Sequence, residues 1–178
     1  MHFQEHIPLA PYTTFRVGGP ARFFAVAKTI EEVQEATQWA SEKKLPIFAL
    51  GSGSNVLVAD KGFAGLVIKM ELNRWEIAEL NHPLTPGPLP QGERESVLVY
   101  AEAGVVTAQL AGECARAGLS GFTWAVGVPG TIGGAVRGNA GAAGGEMKDV
   151  VTQVTAFQIP NIQYPISNSE YRRANIPN

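Results

Sequence analysis

At 178 residues the chain is long enough for one ordinary domain or two small lobes that share an interface, and its 45% apolar content is that of a globular core. Fourteen basic and sixteen acidic residues leave a net charge of −2 with no long run of either sign, which argues against nucleic acid or an anionic membrane as the main partner. A single cysteine, Cys114, excludes an internal disulfide; with no secretion signal at residues 1–6 and no apolar segment of membrane-spanning length, a soluble cytoplasmic protein is expected.

Residues 11–20 suggest an extended lead that ends in a Gly-Gly-Pro turn, and the aromatic and β-branched run at 21–27 predicts a strand. Thr29 followed by Glu32 has the form of a capping box. From Ile30, the spacing of Val33, Ala36 and Ala40 predicts a helix of about three turns ending at Lys43-Lys44. A second strand at 47–50 completes a β-α-β unit and runs straight into Gly51, Ser52, Gly53, Ser54 and Asn55. Successive backbone N–H groups in such a turn can form a concave anion site, and the two hydroxyls and the amide add donors without charge. The same residues also suit a plain Ser/Gly hairpin turn. Two phosphate motifs fail here. No Lys-Ser/Thr pair follows the glycines, and Val56 stands where a dinucleotide fingerprint needs its third glycine, with a strand-like 56–59 where that fingerprint needs a helix.

A further strand is expected at 65–69. Residues 76–96, dense in Pro and Gly, read as a surface insertion, since lengthening a surface loop costs little. His82 lies in it and His2 and His6 lie far away, so no metal site is expected. The pattern recovers with a strand at 97–101 and a helix at 106–117 that places Leu110, Ala111, Cys114 and Ala117 on one face before Gly118. The stretch 127–146 is mostly Gly and Ala, punctuated by Pro129, Ile132, Val136, Arg137 and Asn139. That punctuation favours an ordered binding loop over a linker. A last strand is expected over 150–158. The organisation is thus two α/β lobes, 1–75 and 97–178, on either side of the insertion, each contributing one Gly-rich loop.

Two loops rich in backbone donors, with no nearby lysine and wide apolar approach surfaces, suit a ligand with a pyrophosphate and a large flat ring. FAD has that composition, and it would bring its own chemistry. No Ser-His-Asp set, paired carboxylates or metal cluster supports a hydrolase.

Several stretches resemble the UDP-N-acetylenolpyruvoylglucosamine reductase (MurB) family of peptidoglycan synthesis. They are Tyr-Thr-Thr-Phe-Arg-Val-Gly-Gly-Pro-Ala at 12–21, Leu-Gly-Ser-Gly-Ser-Asn-Val-Leu-Val at 50–58 with Gly-Phe-Ala-Gly at 62–65, and Gly-Val-Pro-Gly-Thr-Ile-Gly-Gly-Ala-Val at 127–136 with Gly-Asn-Ala-Gly at 138–141 and Gly-Gly-Glu at 144–146. The resemblance implies an α/β (α+β) two-subdomain FAD-binding fold of the vanillyl-alcohol oxidase (PCMH) type, with FAD between the subdomains. It implies NADPH as hydride donor and reduction of UDP-N-acetylglucosamine enolpyruvate to UDP-N-acetylmuramate. By the family pattern Gly51, Ser52, Gly53, Ser54 and Asn55 face FAD, as do Gly127, Val128, Pro129, Gly130, Thr131, Gly133 and Gly134, while Asn139, Ala140 and Gly141 continue that wall. A covalent flavin link is not expected, because no histidine sits in a Gly-rich loop and Cys114 reads as a core position. The family's substrate arginine, in a Tyr-Arg-x-Ser motif, has its best match in Arg172, with Ala174 in place of Ser. The family's Ser proton donor and partner Glu lie in a C-terminal substrate domain, before which this chain stops. The chain is therefore expected to be the FAD-binding portion, without full turnover on its own. The alternatives are a non-catalytic FAD-binding subunit and a decayed flavin fold.

Overall fold

Strand β4 carries the uninterrupted apolar run Leu-Val-Ile at 66–68, and it takes the place in the sheet where both faces are covered. The structure is a computed structural model that describes residues 1–78 and 97–156. Its first half is a four-stranded sheet of order β1-β2-β4-β3, made of β1 (Gln4–Pro8), β2 (Pro20–Ala27), β3 (Ile47–Leu50) and β4 (Phe63–Met70). Strands β2 and β3 both run parallel to β4, and β1 pairs antiparallel on the free edge of β2. Helix α1 (Ile30–Glu42) crosses from β2 to β3.

Alternation splits the strands between two cores. Leu66 and Ile68 join Ala25 and Ala27 of β2 against Ala36 and Ala40 of α1, and small side chains there let helix and sheet approach closely. Val67 points the other way, to Leu9, Ala21, Phe24 and Leu50. Trp39 closes the first core by stacking on Phe3, with ring centroids 4.0 Å apart.

The α1 cap differs in one detail from a capping box. The Thr29 hydroxyl accepts from the Glu32 N–H at 3.2 Å, but the Glu32 carboxylate reaches past Thr29 to the N–H of Lys28 at 2.6 Å. At the other end Lys44, with φ at +54°, is the left-handed residue; its N–H bonds the Ser41 carbonyl and the Leu45 N–H bonds that of Ala40. Helix α2 (Thr107–Arg116) ends the same way at Gly118, as the sequence predicts, with Leu119 N–H on the Cys114 carbonyl.

In the second half β5 (Trp75–Ala78) pairs antiparallel with β6 (Leu98–Ala101). Residues 76–78, expected to open the insertion, are thus strand, held by the ladder with β6, and the 79–96 part lies outside the described residues. Trp75, Val99 and Ala101 pack on Val105, Leu110, Cys114 and Ile132, so Cys114 is a core residue on α2 as expected. A 3-10 turn (Thr123–Gly127), helix α3 (Ile132–Arg137), a hairpin of β7 (Gly141–Ala142) and β8 (Gly145–Glu146), and a 3-10 turn (Met147–Asp149) follow.

Four further expectations fail. The lead expected to be extended over 11–20 begins in a 3-10 turn at Ala10–Tyr12; ahead of it β1, for which the sequence raises no expectation, is a polar edge strand, exposed on most positions, so it carries no alternation to detect. Residues 56–59 form no strand, because the Ala59 carbonyl accepts from the N–H groups of Gly19 and Gly62 instead of entering a ladder. Residues 150–156 form no strand either, and 157–158 lie outside the described residues. The Gly-rich stretch is not loop throughout, since α3 occupies its middle.

Leu66 is fully buried between α1 and the sheet. Leu66→Ala should therefore cost about 2–5 kcal/mol of stability, read as a lowered midpoint in urea, whereas Thr29→Ala should cost only about 1 kcal/mol through the lost cap.

Candidate functional site

The parallel strands β3 and β4 end side by side, and the turn of residues 51–55 leaves the carboxyl end of β3. That edge is where open α/β sheets take ligands. The turn is closed in on both sides. On one side the Thr14 N–H donates to the Gly53 carbonyl at 3.0 Å, and a Cβ on Gly53 (φ +71°) would collide with the Tyr12 carbonyl. On the other side the second Gly-rich segment closes in. A Cβ on Gly51 would lie 2.5 Å from the Thr131 hydroxyl, and one on Gly130 (φ +111°) would lie 2.9 Å from that of Ser54.

The 130–134 segment is itself fixed by the start of α2. Thr107 N–H donates to the Gly130 carbonyl at 3.1 Å, Ile132 N–H to that of Val105 at 2.8 Å, and Gly133 N–H to that of Ala103 at 2.9 Å. The two Gly-rich segments predicted from the sequence thus meet in one seam. Within it the N–H groups of Ser52, Gly53, Ser54, Asn55, Gly130 and Thr131 donate to no acceptor among the described residues. Such a set of unpaired, uncharged donors on two touching segments fits a phosphate-bearing group. Two buried polar atoms also lack partners among the described residues: the hydroxyl of Thr107, beside Gly130, and the indole N–H of Trp124, whose ring lies against Gly145. Each such orphan costs about 1–3 kcal/mol. The residues present therefore fit a polar ligand lying along this wall.

The other predicted site residues are placed as follows. Gly127 ends its 3-10 turn with open space where a Cβ would stand. Val128 turns its side chain into the core with Ala111 and Ala125, so only its backbone can contribute outward. Pro129 is exposed, and Gly134 lies within α3 near the Thr131 hydroxyl. Asn139 (φ +45°) is the left-handed residue after α3, with Ala140 N–H on the Ala135 carbonyl. Its amide is spent on the hairpin, donating to Glu146 Oε2 at 2.7 Å and accepting from the Lys148 N–H at 2.9 Å. Gly141 begins that hairpin, and a shallow depression of about 430 Å³ lies between Gly138 and Glu146. The Lys148 and Asn139 hydrogen bonds, with the charge of Lys148, hold the Glu146 carboxyl below its ordinary range, and Glu146 in turn raises Lys148. Burial pushes the Cys114 thiol up. Among the described residues no group of three or more His, Cys, Asp and Glu could hold a metal ion. Arg172 lies outside the described residues.

One expectation about the loops is corrected. The sequence suggests no lysine near them, yet the Lys69 ammonium donates to the Gly51 carbonyl at 2.7 Å. Lys69 stands opposite Leu50 in the β3·β4 register, so it reaches the first residue of the turn. The signal was present in a lysine that closes an apolar strand, but it becomes visible only once β3 and β4 are known to be neighbours.

A family described as FAD binding domain matches residues 21–161. The chain belongs to this FAD binding domain family, whose cofactor is FAD, and its fold is the two-subdomain α/β FAD-binding fold of the vanillyl-alcohol oxidase type. Its curated relatives include the UDP-N-acetylenolpyruvoylglucosamine reductase of Synechococcus sp. (strain WH7803), 40% identical over 90% of this chain and 47% of the relative. That of Acaryochloris marina is 42% identical over 86% and 46%. Among solved structures, the UDP-N-acetylenolpyruvylglucosamine reductase (MurB) from Thermus caldophilus matches with a TM-score of 0.59 and 34% identity, over 83% of this chain and 47% of that one. The chain spans about half the length of the curated relatives it matches. No described helix is long and apolar enough to cross a membrane.

Gly53 and Gly118 share a left-handed φ, +71° and +78°, but only Gly53 has backbone in the way of a Cβ. Gly53→Ala should therefore cost about 1–3 kcal/mol more than Gly118→Ala in urea unfolding, and equal losses would mean that the Tyr12 contact is not tight. The second test is a titration. A folded-state pKa below the unfolded value means that the Glu146 contacts contribute above the unfolded value of 4.5 and are lost as pH falls through the lower folded one. By NMR the Glu146 carboxyl should titrate below an ordinary glutamate, and Lys148→Gln should move it back up.

Proposed function

We propose that the chain binds FAD, non-covalently, in the seam between its two Gly-rich segments, and that the bound flavin serves NADPH-dependent reduction of UDP-N-acetylglucosamine enolpyruvate to UDP-N-acetylmuramate. The observation that carries this reading is the meeting of two segments with unpaired backbone donors, at 52–55 and 130–131, in a member of the FAD binding domain family. In this reading Gly51, Ser52, Gly53, Ser54 and Asn55 hold the dinucleotide from one subdomain (1–75). Gly127, Val128, Pro129, Gly130, Thr131, Gly133 and Gly134 hold it from the other (97–178), and Asn139, Ala140 and Gly141 extend the wall. FAD would supply the two-electron carriage, and the chain's part is to seat it and exclude water from it. Asn139, whose amide is already engaged, acts through the hairpin it fixes rather than as a free donor. Arg172 is proposed to meet the carboxylate of the enolpyruvyl substrate. The reaction places this chain among cytoplasmic enzymes of cell-wall precursor synthesis.

The test is an absorbance spectrum of the purified chain, before and after denaturation, followed by NADPH oxidation in the presence of substrate. A flavin band released on unfolding is expected. A colourless protein that takes up no added FAD would sink the reading in favour of a decayed flavin fold. A flavoprotein that co-purifies with a second chain would instead favour a flavin-binding subunit.

A further inference from the structure

We propose that Lys69, Arg16 and Ser52 form a phosphate subsite beside the 51–55 turn, which takes a phosphate group of a nucleotide ligand. The inference rests on the FAD reading above and goes beyond it by saying where the charge of the ligand is met. A depression of about 440 Å³ is walled by Tyr12, Thr13, Thr14, Arg16, Ser52 and Lys69. Two of these are cations and none is a carboxylate. Lys69 is half-buried, at the carboxyl end of the central strand, and one of its three donors is used on the Gly51 carbonyl at 2.7 Å. The ion pairs formed among the described residues include neither Lys69 nor Arg16. An ammonium drawn out of water beside a carbonyl, with no carboxylate on it, is set up to receive an anion.

The backbone supports the same placement. Arg16 is held at φ +54°, a conformation disfavoured for any residue with a Cβ, by the turn in which its N–H donates to the Thr13 carbonyl at 3.1 Å. That turn is tied to the Gly-rich segment through Thr14 N–H on the Gly53 carbonyl, so Arg16 is carried on the same rigid unit as the free donors of 52–55. The guanidinium offers a planar fork to two phosphate oxygens, the ammonium a point charge, and Ser52 a hydroxyl. At 51–55 and 130–134 the two Gly-rich segments supply only dipoles, so these cations would balance the charge of a pyrophosphate. The pyrophosphate of the flavin and the phosphates of the hydride donor share this chemistry.

The experiment titrates riboflavin, FAD and 2′,5′-ADP into the full chain, as wild type, Lys69→Gln and Arg16→Gln, by flavin fluorescence and calorimetry. Each variant should weaken a phosphate-bearing ligand by about tenfold, the share of one charge-assisted hydrogen bond, and leave riboflavin unchanged. A loss confined to FAD assigns the subsite to the flavin, and one confined to 2′,5′-ADP assigns it to the hydride donor. Unchanged affinity for both phosphate ligands in Arg16→Gln overturns the proposal, and so does a parallel loss for riboflavin, which would mark a structural effect. Arg16 is exposed, so its variant stays informative if Lys69→Gln does not fold. If the wild type takes up no flavin at all, the FAD reading fails separately and inorganic pyrophosphate decides the subsite. A rise in Tm for the wild type that is missing in Arg16→Gln keeps it, and no rise ends it.

Discussion

The close approach of neighbouring segments at Gly51, Gly53 and Gly130 is the constraint from which the rest of this molecule follows. The 51–55 turn sits between the Tyr12 carbonyl and the Thr131 hydroxyl, and its own Ser54 hydroxyl lies against Gly130, at distances that leave no room for a Cβ on Gly51, Gly53 or Gly130. With glycine at these points the segments approach closely, and the N–H groups of 52–55 find no acceptor among the described residues. A larger residue would have to push the segments apart. Everything behind the turn serves that approach. The parallel pairing of β3 with β4 aims it, and the start of α2 clamps the opposing segment through Thr107, Val105 and Ala103.

The three helices end alike, and the third ending carries the consequence. Lys44, Gly118 and Asn139 each take the left-handed position, with paired hydrogen bonds back to the last turn. After α1 and α2 this only reverses the chain. After α3 the residue is Asn, whose side chain is free to act because its backbone has done the capping. It grips Glu146 and the N–H of Lys148, and so sets the β7–β8 hairpin against the helix it has just ended. Gly145 then rests on the Trp124 ring, which leads back into the 3-10 turn before Gly130. The glycines on this wall thus differ in kind: some let backbones meet, while Gly127 and Gly144 border open space.

Elements with their own periodicity were legible in the sequence. β2, α1, β3 and α2 fall within a residue or so of expectation, because each buries a face whose spacing shows in the chain. Strand β1 was not legible, since a polar edge strand is specified by its partner β2 and not by its own pattern. Helix α3 was hidden for a related reason. Its Gly-Gly-Ala start has poor helix propensity, and its first turn is held instead by carbonyls of Val105 and Ala103, far away in sequence. The candidate site divides in the same way. Composition located both Gly-rich segments, but it could not show which of their groups were already spent. Val128 is committed to the core and the Asn139 amide to the hairpin, facts that depend on tertiary contacts.

Lys69 shows how an electrostatic feature can be built without any motif. A neutral turn can orient a phosphate, since fixed N–H dipoles are directional, but dipoles alone leave the ionic charge of a ligand unmatched in a partly desolvated seam. Walker-type loops solve this with a lysine inside the loop. Here the turn is free of charge, and the cation is brought from the neighbouring strand, eighteen residues later, by parallel register alone. Placing it there has a physical advantage. A lysine at Gly51 or Gly53 would need a Cβ where those residues must touch their neighbours, whereas from β4 the flexible stem reaches the Gly51 carbonyl without disturbing the close approach. Separating the shape of the turn from its charge lets each be met by a residue that the other requirement would forbid.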